Sequence, residues 1–529
     1  MKKLLPLLAL PLTLLPLCRP AAGAATDIVP TGSAALDTFA ALARADAFGA
    51  EDTPEDFLGE SLYTRGQLAR LLEHLIQDEP QRLARVQKDD AANAALHAAE
   101  DELQAELKAD NVDLSEIDAA PASGATVGGY VQPELRVGTG GGSGSKTGAL
   151  GVYRVTAQGS LRSNLRYVVS ASNWAQDARR VFNNDIGAHD FSAVNEAYLE
   201  LNGGRGLTLS LGRQHDRWGP GYRGATMISD NAPAFDQLQV AFPFSLGAHL
   251  GRGYDFTQFA ATFKEGGTRK YLEARRIGFA FSPHLSADFQ EAFKSSSSRA
   301  LEVTLLPDFY TAQSANLKVG NLRITGLDQT YNAFLNFGLS YAADPNTRVY
   351  GQLGIDDIQT PGRRTYRTPR KIAQLFGVAF QPAPGTGVVA EYTFADATTY
   401  SSRIPDTQWQ KGLYDEIGLP SGPNSRELFL RLSQKLARGL TASLQGRDRR
   451  RRDDSFPAPT SRDLAATLEF APDKQNGFSV TYHDYRQQPF PLPSSVLAPG
   501  DGFTPANAEG NYGQSLRIKQ LDVAYRFFF

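Results

Sequence analysis

The chain has 529 residues, a formal net charge of −3, and 41% hydrophobic and 10% aromatic side chains. That near balance excludes a bulk electrostatic pull toward nucleic acid. Beyond the amino terminus no apolar run approaches the roughly 18 residues of a membrane helix. The mean hydropathy of −0.33 resembles that of a soluble protein, but β-barrels give such values too, because half of each strand is polar.

Lys2 and Lys3 precede an apolar run from Leu4 to Leu17, and Ala22-Gly23-Ala24 follows as a cleavage site. This predicts a secretory signal peptide over 1–24, too short to span a membrane. Cys18 is the only cysteine, and the bulky Leu17 before it is a poor lipoprotein processing site. The mature chain is therefore expected to hold no disulfide, thiol nucleophile or cysteine metal site.

Residues 33–118 have a different pattern. Leu36, Phe39, Ala40, Leu42 and Ala43 are spaced like one helix face, as are Leu68, Leu71, Leu72, Leu75 and Ile76. From Lys88 to Asp110 the chain is rich in Ala, Glu, Asp and Leu. Its sparse stripe of Leu96, Leu103 and Leu107 predicts a solvated or coiled-coil helix. Residues 119–125, with Pro121-Ala-Ser-Gly124, read as a linker. The first part of this region resembles one degenerate S-layer homology repeat, through Thr64, Arg65, Leu68 and Ala69. The resemblance implies that Arg65 helps hold an anionic wall polymer, since a guanidinium fork matches a carboxylate. The family's Asp-Val and His-Trp-Ala landmarks are absent and one copy is visible. A plain N-cap role for Thr64 and a helical plug, spacer or docking element are the competing readings.

From Thr126 to Phe529, alternating segments are separated by turns. Short connections (161–163, 203–206, 343–346, 382–385, 437–439, 473–476) alternate with long ones (175–191, 215–236, 359–370, 401–424, 488–514). The final strand places Leu521, Val523, Tyr525, Phe527 and Phe529 on one face, and its aromatic end resembles the assembly signal of outer-membrane barrels. The prediction is an all-β transmembrane barrel of about 18 antiparallel strands over 126–529, with a small helical periplasmic region before it. Leu301 to Thr325 is ambiguous. Glu196 and Glu200, or Glu427 and Arg431, on the non-apolar face predict a polar lumen rather than a dry core. A soluble sandwich would turn its apolar face inward instead.

The strongest internal motif is Gly212-Arg213-Gln-His-Asp216-Arg217-Trp218-Gly219-Pro220-Gly221-Tyr-Arg223-Gly, continuing to Ile228-Ser-Asp-Asn231-Ala-Pro. It resembles the capsule-assembly outer-membrane proteins of the Wzi type. A second match is the strand from Tyr350 that ends in Asp356-Asp357. The resemblance implies a lectin-like, non-enzymatic barrel of 18 strands that holds capsular polysaccharide and helps assemble the capsule. In that reading Trp218 stacks on a sugar ring, Arg213, Arg217 and Arg223 pair with sugar carboxylates, and Asp216 and Asn231 meet hydroxyls. The competing reading makes Arg213, Asp216, Arg217, Asp356 and Asp357 a network bracing a loop folded into the lumen. Gly219, Pro220 and Gly221 shape a tight turn in either case.

Arg447 to Asp454, and Arg363, Arg364, Arg367 and Lys371, form basic patches suited to anionic glycan or lipopolysaccharide phosphate, or simply a solvated rim. No metal-ligand spacing, cofactor motif or catalytic motif is present. The expected location is the outer membrane, and the expected partners are capsular or exopolysaccharide, outer-membrane lipid and lipopolysaccharide, and peptidoglycan-linked polymer. The second function that fits is a diffusion porin tethered to the wall by its amino-terminal region.

Overall fold

The computed structural model describes residues 38–39, 42, 47–48, 65–109, 112–114, 125–140, 145–162, 164–172, 193–203, 207–229, 232, 234–244, 253–265, 268–282, 285–295, 331–344, 347–357, 371–383, 385–396, 398–400, 409, 417–437, 439–451, 460–471, 476–487 and 516–528. The predicted signal peptide, Thr64, Asn231, Phe529, the ambiguous stretch 301–325 and the basic patch 363–367 lie outside them.

Among the described residues, α1 (Arg65–Asp78), α2 (Pro80–Lys88) and α3 (Asp90–Ala109) precede the sheet. Pro80 opens α2, where its missing N–H costs nothing. Leu68, Leu72, Leu75 and Ile76 of α1 meet Leu83 and Val86 of α2, with Phe39 and Leu42, in one fully buried cluster. Leu96, Leu103 and Leu107 of α3 belong to the same core. The expected solvated or coiled-coil helix is thus the third wall of a compact bundle. Its stripe suffices because Ala92, Ala95 and Ala99 fill the remaining contacts. The bundle meets the sheet where Gln158 Nε2 donates to Thr38 Oγ1 at 2.8 Å.

The sheet has eighteen strands: β1 (Ala125–Gly140), β2 (Ser145–Arg162), β3 (Leu165–Ser172), β4 (Ala193–Asn202), β5 (Thr208–Gln214), β6 (Phe235–Phe244), β7 (Gly253–Glu265), β8 (Thr268–Ala280), β9 (Leu285–Ser295), β10 (Tyr331–Asp344), β11 (Thr347–Asp357), β12 (Lys371–Ala383), β13 (Thr386–Ala395), β14 (Ser425–Ala437), β15 (Leu440–Arg451), β16 (Thr460–Phe470), β17 (Asn476–Gln487) and β18 (Leu516–Phe528). Each pairs antiparallel with its sequence neighbour. The ring closes where β1 pairs with β18, from Tyr130 opposite Phe528 to Gly140 opposite Ile518. Closure leaves no sheet edge, which a hydrocarbon environment demands.

The alternation has the predicted sense. On β18, Leu521, Tyr525 and Phe527 point outward and are exposed, while Asp522 and Ala524 point inward and are buried. On β14, Leu428, Leu430 and Leu432 face out, and Glu427, Phe429 and Arg431 face in. The strand ends joined by 163–164, 203–207, 345–346, 384–385, 438–439 and 471–475 share one rim with the end of β18, and those joined by 173–192, 215–234, 358–370, 396–424 and 488–515 share the other, together with two short turns, 141–144 and 266–267.

The interior departs from the expected polar lumen. Trp218, Met227, Ile228, Phe235, Phe259, Phe334, Tyr400, Trp409, Ile417 and Leu419 form a buried apolar cluster. It is built by connections 215–234 and 396–424 against the walls of β6 to β13. Strand alternation alone does not reveal such a core, because Trp218, Met227, Ile228, Tyr400, Trp409, Ile417 and Leu419 come from connections.

Candidate functional site: a loop locked into the lumen

The motif segment leaves β5 and runs inside the barrel. Trp218 N–H donates to Ile228 O at 2.9 Å, pinching residues 218–228 into a closed lobe. Inside it, Arg217 Nη2 donates to the carbonyl of Gly221. A Cβ on Gly221 would overlap the carbonyl oxygen of Gly224 and Leu375, and one on Gly219 would overlap the side chain of Gln352. Gly219, Pro220 and Gly221 therefore form the tight turn that the sequence requires, pressed against the wall.

Two sets of wall residues hold the lobe. The first is an amide layer across adjacent strands. Gln290 of β9 and Gln352 of β11 donate to Trp218 O at 3.3 and 3.0 Å. Asn336 of β10 donates to Gln290 at 2.9 Å and accepts from Thr226 Oγ1 at 2.5 Å, while Gln352 Oε1 accepts the Thr226 N–H at 3.0 Å. Every backbone group at this buried turn that the layer meets is satisfied by a side chain, as burial requires.

The second is centred on Glu391 of β13. Its carboxylate accepts the backbone N–H groups of Tyr222 at 2.6 Å and Arg223 at 3.0 Å, and the Tyr350 hydroxyl at 3.1 Å. Arg348 donates to Pro220 O at 3.2 Å and lies over the Tyr350 ring. Tyr222 stacks on Phe429, with ring centroids 5.4 Å apart, and Arg431 donates to its hydroxyl. Arg223 pairs with Glu427 at 3.6 Å and lies over Phe429. Neither Glu391 nor the glutamine–asparagine layer was identified from sequence. The only available signal was a polar residue on the inward register of an otherwise apolar strand.

The second connection latches onto the lobe. Tyr400 donates its hydroxyl to Thr226 O at 2.7 Å and accepts the Leu419 N–H at 3.1 Å. Ser229 N–H donates to Ile417 O at 2.8 Å. Tyr400 has φ of 68°, a left-handed conformation uncommon for a tyrosine, and its ring stacks on Phe334.

The motif residues divide between different surroundings. Trp218 is 6% exposed and packs edge-on against Phe259, so its indole belongs to the lumenal core. Arg217 is buried in the lobe, and Arg223 is half-buried beside Phe429. Asp216 accepts from Gln239 at 3.1 Å, and burial pushes its carboxyl up to about 6 against the pull of Gln237 and Gln239. Arg213 joins none of these. It lies on the outward face and grips Asp236 of the next strand through two bonds, at 2.7 and 3.1 Å. Asp356 is the bulged residue near the end of β11, 4.0 Å from Lys371 Nζ, and Asp357 pairs in register with Lys371. Arg65 opens α1. Among the described residues, no group of three or more His, Cys, Asp and Glu side chains could hold a metal ion.

The opposite wall is polar. Arg447 lies 3.7 Å from Asp463, His483 lies between Asp463 and Asp522 at 3.9 and 3.5 Å, and Gln520 donates to Asp522 at 2.7 Å. One side of the lumen is thus packed and dry, and the other is charged.

No protein-family model matches the chain, and no curated protein sequence matches it. Among solved structures it is similar to Wzi of Escherichia coli, described as an outer-membrane protein involved in group 1 capsule assembly and as a carbohydrate-binding β-barrel. That likeness has a TM-score of 0.51 at 12% identity, covering 94% of this chain and 99% of that one. This chain has the fold of an outer-membrane β-barrel. OpdL of Pseudomonas aeruginosa matches with a TM-score of 0.43 at 11% identity, over 77% of this chain and 99% of its own. A loop-deletion mutant of OmpT of Vibrio cholerae matches with a TM-score of 0.34 at 10% identity, over 77% and 99%. Such identities speak for the fold alone. Among the described residues no helix is long and apolar enough to cross a membrane.

Proposed function

We propose that this barrel is a non-enzymatic scaffold that holds surface polysaccharide at the outer membrane and helps organise a capsule-like layer. The observation that supports the reading is the locked lobe. A diffusion pore needs a hydrated path, whereas here Trp218, Met227, Phe334 and Trp409 pack the lumen against one wall. Through Arg223 and Tyr222 the lobe holds Glu427 and Arg431 of β14 in place beside the charged wall of β15 to β18, which favours a rigid site for a long anionic or hydroxyl-rich chain. Weak contacts repeated along a polymer add through effective concentration. The rim with long connections faces outward in this reading, and the helical bundle lies in the periplasm. There Thr64 and Arg65 could meet wall polymer.

The test pairs two measurements on the purified barrel. Retention of capsular or exopolysaccharide in a pull-down, with polymer shed by a deletion strain, supports the reading. Stepwise conductance in planar bilayers, with unchanged polymer retention in the deletion strain, would overturn it in favour of the tethered porin.

A further inference from the structure

A cluster on the lipid-facing wall of β14 to β18 is not used by the lobe. The outward register runs Arg426 beside Arg450 at the top. The next row is Leu428, Asp448, Arg462, Arg486 and Arg517, and below it come Leu430, Gly446, Leu464, Asp484 and Lys519. The row beneath those is Leu432, Leu444, Ala466, Tyr482 and Leu521, where the apolar belt begins. Six cations thus share two carboxylates along the upper edge of that belt. Each carboxylate grips two guanidiniums: Asp448 holds Arg450 at 3.1 Å and Arg462 at 3.3 Å, and Asp484 holds Arg486 at 2.8 Å and Arg517 at 3.3 Å. The carboxylates orient the comb without neutralising it. The pair Arg213–Asp236, on the outward face of β5 and β6, is by contrast balanced one to one.

Within the comb, the wall has a groove of about 410 Å³ in which Leu428, Leu430, Gly446 and Leu464 meet Asp448, Arg462, Asp484 and Arg486, with the lumen-facing Arg447 and Asp463 also lining it. Gly446 creates it. A Cβ built there would meet only Leu464, at 4.0 Å.

We propose that this is a specific seat for a phosphorylated glycolipid of the surrounding leaflet. Its phosphate sits among Arg462, Arg486 and Arg517, and an acyl chain lies along Gly446 between the leucines. Guanidiniums bind phosphate through paired charge-assisted hydrogen bonds, and at a membrane level they are less screened than in bulk water. A zwitterionic lipid would bring its own cation and gain less. The inference rests on the outward assignment of the long-connection rim, but not on polysaccharide binding.

The test is native mass spectrometry of the full mature chain released from micelles, with diphosphoryl lipid A, dephosphorylated lipid A and phosphatidylcholine as probes. The expected result is a retained adduct for the diphosphoryl form, at least tenfold more abundant than for the other two. Arg462→Gln with Arg486→Gln and Arg517→Gln should abolish that preference. Gly446→Leu, which meets no backbone obstruction, should reduce adduct retention several-fold while keeping the heat resistance of the folded barrel. Equal retention of all three lipids overturns the proposal. So does full retention in the Gly446→Leu variant, or displacement of the lipid by millimolar inorganic phosphate, which would mark an anion site only. Loss of the adduct with polymer retention unchanged separates this site from the proposed scaffold function.

Discussion

The Glu391 carboxylate holds the backbone N–H of Tyr222 at 2.6 Å, across 169 residues of chain. One side chain on a barrel strand thus fixes the tip of a connection that begins at the far rim. Glu391→Ala leaves two buried N–H groups and a tyrosine hydroxyl without their acceptor, at a cost of ~1.5–3 kcal/mol in the lobe. The lobe is expected to loosen while the sheet persists. Hydrogen exchange at 221–229 should accelerate, protease should cut there in detergent, and heat resistance of the barrel should change little. Glu391→Gln keeps one acceptor oxygen and should fall between. Unchanged exchange in the alanine variant would refute the anchoring role.

Gly221 has a different failure mode. A methyl group there overlaps a backbone carbonyl, Gly224 O, which cannot rotate away as a side chain can. Gly221→Ala is therefore expected to unseat the turn, with exchange over 218–228 at least as fast as in Glu391→Ala. Gly446→Ala adds the same methyl into open space and should leave exchange in the lobe unchanged. The two variants, compared by the same measurement, separate a steric need for glycine from a general effect of substitution.

The barrel was legible in the sequence because strand alternation is set residue by residue. Leu428, Leu430 and Leu432 face out for the same reason that Glu427 and Arg431 face in. Connection lengths also carried through, since a two-residue turn and a 20-residue loop leave different compositions. The dry half of the lumen was not legible. Trp218, Trp409 and Ile417 come from connections, where no periodicity marks burial, and only their meeting in space makes a core. Glu391 reads in sequence as any inward polar residue. Arg213 shows the converse: it sits in the motif, yet one residue of register turns it outward to Asp236. The run from Arg447 divides for the same reason, with Arg447 and Arg449 inward and Asp448 and Arg450 outward.

The two cores should fail separately. Leu72 is fully buried in the helical bundle, and large-to-small changes of that kind cost ~2–5 kcal/mol. Leu72→Ala is expected to melt the bundle early, seen as loss of helical circular dichroism on heating, while the barrel keeps its heat-resistant migration in gels. Phe334→Ala should spare the helical signal and release Tyr400, raising exchange at 417–419. If either variant weakens both signals equally, the two clusters form one cooperative unit.

Asp216 gives the pH dependence. Its folded-state carboxyl titrates at about 6 because burial disfavours the charged form. In the unfolded chain an aspartate titrates near about 3.9. Between those values the folded state binds more protons, so this group stabilises the fold at low pH, and that contribution is lost as pH rises through 6. The thermal midpoint of the natural chain should therefore drop between about pH 4.5 and pH 7.5 relative to Asp216→Asn, which carries no titrating proton but still accepts from Gln239. The variant should be the more stable of the two at the upper pH, and the difference should shrink toward the lower one. Scanning both proteins in the same detergent cancels the other titrating groups. A constant difference across that range would mean that Asp216 stays ionised at both ends, through water reaching its carboxylate from the polar side of the lumen.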